Sequence, residues 1–173
     1  MLRFLTLLID GSTKFVSAIT SSQGATDKNK IVATDGNGKL DLSLMPSGLD
    51  VATFNAAVSE NLSAGDFINI FDDGGTRKVR KADADNNRPA HGFVLSAVAA
   101  NEQGLIYTKG TNTALTGLSL GSNYYLSNIP GKSASTPVVE NNELKSGSLY
   151  QELGTAIAAN SLEFEYNGVI TIE

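Results

Sequence analysis

Residues 62–98 read LSAGDFINIFDDGGTRKVRKADADNNRPAHGFVLSAV. Strand-forming runs over about 66–71, 76–82 and 91–99 are separated by Asp72-Asp73-Gly74-Gly75 and by Asn86-Asn87-Arg88-Pro89. Glycine supplies positive φ and proline a fixed φ, so both separators are turns with a mechanism. The same grammar continues outward in both directions. It predicts further strands near 51–59, 104–109, 122–127, 149–158 and 162–172, with turns at Asn101-Glu102-Gln103-Gly104 and Ile129-Pro130-Gly131. No stretch of twelve residues keeps a 3.6-residue apolar period, as an amphipathic helix would require. The expectation is an all-β chain whose residues 49–173 form a small antiparallel β-barrel or sandwich body.

An internal echo fits that reading. Leu62-Ser63-Ala64-Gly65 leads into Phe67, Ile68 and Ile70, and 56 residues later Leu118-Ser119-Leu120-Gly121 leads into Tyr124, Tyr125 and Leu126. Each is followed by a glycine that opens a strand of small apolar residues, Gly92-Phe93-Val94-Leu95 and Gly154-Thr155-Ala156-Ile157. Two such units would make a pseudo-symmetric β structure.

Residues 1–48 differ in kind and are expected to form an extended N-terminal attachment arm. Apolar runs Leu2–Ile9 and Phe15–Ile19 flank Asp10-Gly11-Ser12, a hairpin signal. The stretch from Thr20 to Lys30 has almost nothing to bury and is expected to cross open surface as an extended or loop segment. A second apolar cluster, Leu40-Leu42-Leu44-Met45, follows the Asp35-Gly36-Asn37-Gly38 turn. The candidate docking residues are Leu2, Phe4, Leu5, Phe15, Val16, Leu40, Leu42, Leu44, Met45 and Pro46. Pro46 marks the junction with the body, because proline biases Met45 toward extended backbone and cannot donate to a ladder.

Composition narrows the function. Hydrophobic residues are 41 % and charged residues 18 % of 173, against about 45–50 % and ~25 % in globular domains. Counting the 17 glycines removes the apolar deficit, so a core can form, while the surface is left to Asn, Ser, Thr and Gly. Zero Cys excludes disulfides, thiolate metal sites and Cys nucleophiles, and a single His excludes sites needing two. A net charge of −5 disfavours nucleic acid. It is carried after Ser47, where eight basic residues meet fourteen acidic ones. The run Phe4–Ile9, interrupted by Thr6 and stopped by Asp10, is too short for a signal segment or a membrane span. It reads as a strand of a protein made in the cytoplasm.

The candidate chemistry is thin. Asp35–Asp41 spaces its oxygens like a calcium loop, but Lys39 and Pro46 stand where that loop needs an oxygen and a bidentate Glu, so it reads as a turn. Thr76–Lys81 holds four basic residues split between two strand faces, with no aromatic in the run. It reads as an edge strand protected by charge, or as one pairing with acidic groups of a neighbouring subunit. His91 has no partner that would make it a base and reads as a satisfied structural histidine. The paired carboxylates Asp72-Asp73 and Asp83/Asp85 sit in turns as caps. Tyr124 and Tyr125 lie on opposite faces of one strand, leaving one for an interface or ligand. No catalytic, cofactor or metal site follows, and the chain reads as non-enzymatic.

Two stretches resemble structural proteins of tailed bacteriophages. KIVATDGNGKLDLSLMPSG, residues 30–48, is similar to a segment recurring in their small virion proteins. Residues 60–98, continuing through GLIYTKGTNTALTGLSLGSNYYLS at 104–127, resemble capsid decoration (cement) and head-fibre proteins. The resemblance implies a virion component assembled in the host cytoplasm, usually trimeric, on capsid or neck proteins, without catalytic residues, nucleic acid or membrane. It would stabilise or extend the capsid surface. The alternative is a tail or baseplate fibre binding host-surface glycans through Tyr124 or Tyr125.

Overall fold

The computed structural model describes residues 3–7, 10–45 and 52–173. The chain divides into two compact units, Met1–Val51 and Ala52–Glu173. Among the described residues no helix is long and apolar enough to cross a membrane. The fold is all-β with a closed five-stranded barrel.

In the first unit, β1 (Arg3–Leu7) pairs antiparallel with β2 (Thr13–Ser17), with Leu5 opposite Phe15 and Phe4 opposite Val16. The turn is fastened by Asp10, whose Oδ1 accepts from the Ser12 amide at 2.9 Å and the Ser12 hydroxyl at 2.7 Å. The stretch expected to be extended or loop contains a 3-10 turn at Gly24–Asp27. Asp27 is the reason, since its Oδ2 accepts from the Gln23 amide at 2.6 Å and its Oδ1 pairs with Lys30 at 3.1 Å. A second 3-10 turn, Leu42–Leu44, follows Asp41, whose Oδ1 accepts from the Ser43 amide at 2.9 Å. Ser22 N–H donates to Ser43 Oγ at 2.7 Å, joining the two turns.

The second unit opens with the barrel: β3 (Thr53–Val58), β4 (Phe67–Asp73), β5 (Thr76–Lys81), β6 (Gly92–Phe93) and β7 (Gln103–Tyr107). Their order is β3-β5-β4-β6-β7, closed by a parallel β3–β5 pair and an antiparallel β3–β7 pair. Ala56, Val58, Leu62, Ile68, Val79, Val94 and Ile106 fill its interior. Strands β8 (Gly110–Asn112), β9 (Asn123–Leu126), β10 (Ser133–Ala134), β14 (Glu152–Ala158) and β15 (Ser161–Phe164) form an open sheet in the order β10-β9-β14-β15-β8. Two short ladders complete the unit, β11 (Val139–Glu140) with β12 (Glu143–Leu144), and β13 (Leu149–Tyr150) with β16 (Ile170–Thr171).

Barrel and open sheet are one pattern used twice. Reading β5-β4-β6-β7-β3 against β10-β9-β14-β15-β8 gives the same neighbours in the same chain order. The connecting hydrogen bonds agree. Gly65 N–H donates to Val94 O and Gly121 N–H to Ala156 O, both at 2.8 Å. Val94 N–H reaches Asp66 O at 3.1 Å, and Ala156 N–H reaches Ser122 O at 2.9 Å. The echoed glycines have a backbone reason. A Cβ on Gly92 would lie 2.3 Å from Tyr107 O, and one on Gly154, whose φ is +137°, 1.9 Å from Glu163 O. The second copy stays open, with β10 and β8 at its two edges. Its apolar face instead packs on the barrel's outside in one core that includes Phe67, Phe93, Leu126, Leu153, Leu162 and Phe164.

Three strand expectations are corrected. The run 91–99 is a strand only at Gly92–Phe93, because Phe93 enters the shared core and Val94 the barrel interior, after which the chain bends. The run 149–158 breaks at Gln151, whose buried amide takes the Ala90 N–H at 2.7 Å and donates to Ala90 O at 2.8 Å. The run 162–172 stops at Phe164 and resumes only at Ile170–Thr171. The basic strand Thr76–Lys81 is also no edge strand, since β5 is paired on both sides within the barrel. Its charges are met inside the chain. Arg77 lies 4.0 Å over the Phe54 ring and Arg80 4.5 Å over the Phe71 ring, while Lys78 pairs with Asp73 at 2.5 Å.

Candidate functional site

The apolar residues of the first unit divide into groups. Leu5 and Phe15 are direct cross-strand partners on one face of the hairpin, 61 % and 67 % exposed. Val16 is half-buried on the other face, where Phe4 lies opposite it in the backbone register. Leu40 and Met45 are exposed and Leu44 half-buried, around the second 3-10 turn that contains Leu42. Leu2 and Pro46 lie outside the described residues. A hairpin of two strands is marginally stable alone. Exposing its largest apolar pair removes what would ordinarily hold it, so Leu5 and Phe15 form the best-defined candidate contact of this unit.

The acidic loop Asp35–Asp41 is a turn. Asp35 Oδ1 accepts from the Asn37 amide at 2.8 Å and the Lys39 amide at 2.9 Å. Its carboxyl is held below the usual range first by the Lys39 amide and then by that of Asn37. Among the described residues no three His, Asp or Glu side chains converge as a metal site requires.

In the second unit, His91 is satisfied by backbone. Its Nδ1 accepts from the Ile70 amide at 3.0 Å, which leaves the ring proton of the neutral form on Nε2. Burial pushes its pKa down. Beside it lies Tyr166, 53 % exposed, with ring centroids 5.8 Å apart. Ile70, His91, Thr108 and Tyr166 line a concavity of about 430 Å³. Thr108 and Tyr166 also line a second one of about 490 Å³, together with Lys109, Gly110, Glu163, Phe164, Glu165 and Asn167.

The tyrosines singled out from the sequence are not the exposed ones. Tyr124 is 6 % exposed, and its hydroxyl accepts from the Ser119 amide at 2.9 Å. Tyr125 is half-buried against the Tyr150 ring at 5.5 Å. Tyr124 is thus the one of the pair that joins the shared core, as the opposite-face reading expects, while Tyr125 lies beside β13. Tyr166 escapes a periodicity search because it follows the last long strand in the polar run Glu165-Tyr166-Asn167-Gly168. An isolated aromatic in such a run is the signal that could have found it.

No family model matches the chain, and no curated protein matches it. Among solved structures it is similar to the head fiber gp8.5 N base of bacteriophage phi29, at 13 % identity and a TM-score of 0.42, over 65 % of this chain and 92 % of that one.

Proposed function

We propose that the chain is a non-enzymatic structural component of a tailed-bacteriophage virion, a decoration or fibre protein of the head or neck. In this reading the first unit docks on capsid or neck proteins and the second stands on the particle. The virion assignment rests on the resemblance of residues 30–48 and 60–127 to such proteins. The docking assignment rests on one observation, the exposed Leu5–Phe15 pair on a two-stranded hairpin. Burying two such side chains contributes roughly 1.5–3 kcal/mol each, before the ordering of the segment is subtracted. A single copy would hold weakly, so attachment gains from a symmetric oligomer, a trimer, that engages several sites together.

The test uses particles that lack this protein. Wild-type chain is expected to co-sediment with them, and a Leu5→Asp, Phe15→Asp double variant is expected to lose attachment while its second unit melts at the same temperature. Decoration by the double variant at wild-type occupancy would place docking elsewhere. Saturable turnover of ester or glycoside substrates would end the non-enzymatic reading, and a concentration-independent monomer in light scattering would end the trimer.

A further inference from the structure

The groove around Tyr166 is lined by residues of the second unit, none of them assigned to docking. Ile70, His91, Thr108 and the exposed Tyr166 line one part of it, with the Tyr166 and His91 rings 5.8 Å apart. Because Nδ1 is committed to the Ile70 amide, His91 presents Nε2–H as a donor. Beyond the ring, Lys109 adds a cationic donor, Glu165 an acceptor, and Asn167 both functions. All three are exposed. The two concavities share Tyr166 and Thr108, so they meet at the tyrosine, and each falls within the ~300–1,000 Å³ of small-molecule sites.

These features select among ligand classes. A purely apolar ligand would cover the Lys109, Glu165 and Asn167 rim without pairing it, which is costly. An anionic ligand would meet Glu163 and Glu165 against one Lys109, on a chain of net charge −5. A pyranose ring has an apolar C–H face and a rim of hydroxyls that donate and accept, which matches an amphipathic aromatic surface edged by mixed polar groups. We propose that this groove binds a neutral oligosaccharide, with one sugar ring lying on Tyr166 and the next reaching Lys109, Glu165 and Asn167.

The proposal concerns the second unit and stands apart from the virion reading. Its test is a chemical-shift titration of the purified full chain with maltotriose, cellotriose and tri-N-acetylchitotriose, and with a heparin-derived hexasaccharide as the anionic probe. At least one neutral probe is expected to bind saturably with a dissociation constant of about 1 mM. The shifts should centre on Ile70, His91 and Tyr166. Tyr166→Ala should weaken binding about tenfold, while Tyr166→Phe, which keeps the ring, should hold it within about twofold. Leu105→Ser, on an exposed position of β7, should change nothing. Leu5→Asp with Phe15→Asp should also bind normally, which separates this site from docking. Absence of saturable shifts with all three neutral probes overturns the proposal. So does unchanged binding in Tyr166→Ala, or tighter binding of the anionic probe.

Discussion

Truncating Phe93 to alanine tests whether barrel and open sheet are one cooperative body. Phe93 is fully buried. Its ring stacks on Tyr107 at 5.4 Å and meets Phe164 edge-on at 5.8 Å, so one side chain joins β6 and β7 of the barrel to β15 of the sheet. Phe→Ala in a core costs about 3–5 kcal/mol through lost transfer energy and the remaining cavity. Two aromatic pairs at roughly 0.5–1.5 kcal/mol each place this site toward the upper end. Against a typical total of about 5–15 kcal/mol, such a loss is a large fraction. With a urea slope of about 2 kcal/mol per molar, the midpoint should fall by roughly 2 M. Amide resonances of β4 and of β14, followed through the same titration, should disappear together and at the same lowered midpoint. A shift below about 0.5 M would show that Phe93 does not carry the junction. A barrel that melts early while β14 keeps its original midpoint would show that the two patterns fold independently.

Two further outcomes follow from backbone and charge. Burial lowers the pKa of His91, and its Nδ1 is bound to the Ile70 amide, so the unfolded chain takes up the proton first. Stability should therefore be complete above an unfolded pKa of about 6.5 and decline as pH falls below it. Urea midpoints at pH 7.5 and 5.0 should differ less in His91→Gln than in wild type, and equal differences would contradict the assignment. Gly154→Ala forces a Cβ to 1.9 Å from Glu163 O at a φ of +137° and should cost more than about 2 kcal/mol, whereas Gly168→Ala, with nothing within 4 Å, should stay within about 0.5 kcal/mol. Equal melting temperatures for these two variants would mean that β14 and β15 can separate without loss.

What could be read in the sequence was local. The Asp10-Gly11-Ser12 turn carries its cause within a few residues, whereas the glycines opening Gly92–Phe93 and Gly154–Thr155 show in the sequence as a repeated pattern and are required by Tyr107 O and Glu163 O on the neighbouring strands. The closure of the barrel shows in neither way, because the parallel pairing of Ala57 with Lys78 joins strands with no shared signal. The basic strand was misread for a related reason. Its aromatic partner Phe54 sits on β3 and becomes a neighbour only when the barrel closes, while Phe71 comes from β4 across the Asp72–Gly75 hairpin, outside the run itself. Strands β8, β10, β11 and β12 have two or three residues, too few to show a period. Of the Tyr124–Tyr125 pair, expected to place at most one ring in the core, Tyr124 enters it and Tyr125 packs beside Tyr150.

The repeated pattern also explains why one cross-strand row on the outer face of the open sheet is polar. One cross-strand row of the barrel runs Thr53, Tyr107, Phe93, Phe67. This aromatic row faces the open sheet and is buried by it, with Tyr107 at its margin. The corresponding row of the sheet runs Thr111, Glu163, Thr155, Asn123. Every aromatic has been replaced by a polar residue, and the replacements bond one another. Thr111 donates to Glu163 at 2.6 Å, and the Thr155 hydroxyl meets Asn123 Oδ1 at 2.9 Å. A terminal repeat needs such a polar outer face to remain soluble. The row that would have received a third layer can therefore face water. The groove arises from the same duplication. Thr108-Lys109-Gly110 leave β7 as Glu165-Tyr166-Asn167 leave β15, so two corresponding exits converge on one surface, and neither copy alone would supply both the aromatic and the cation.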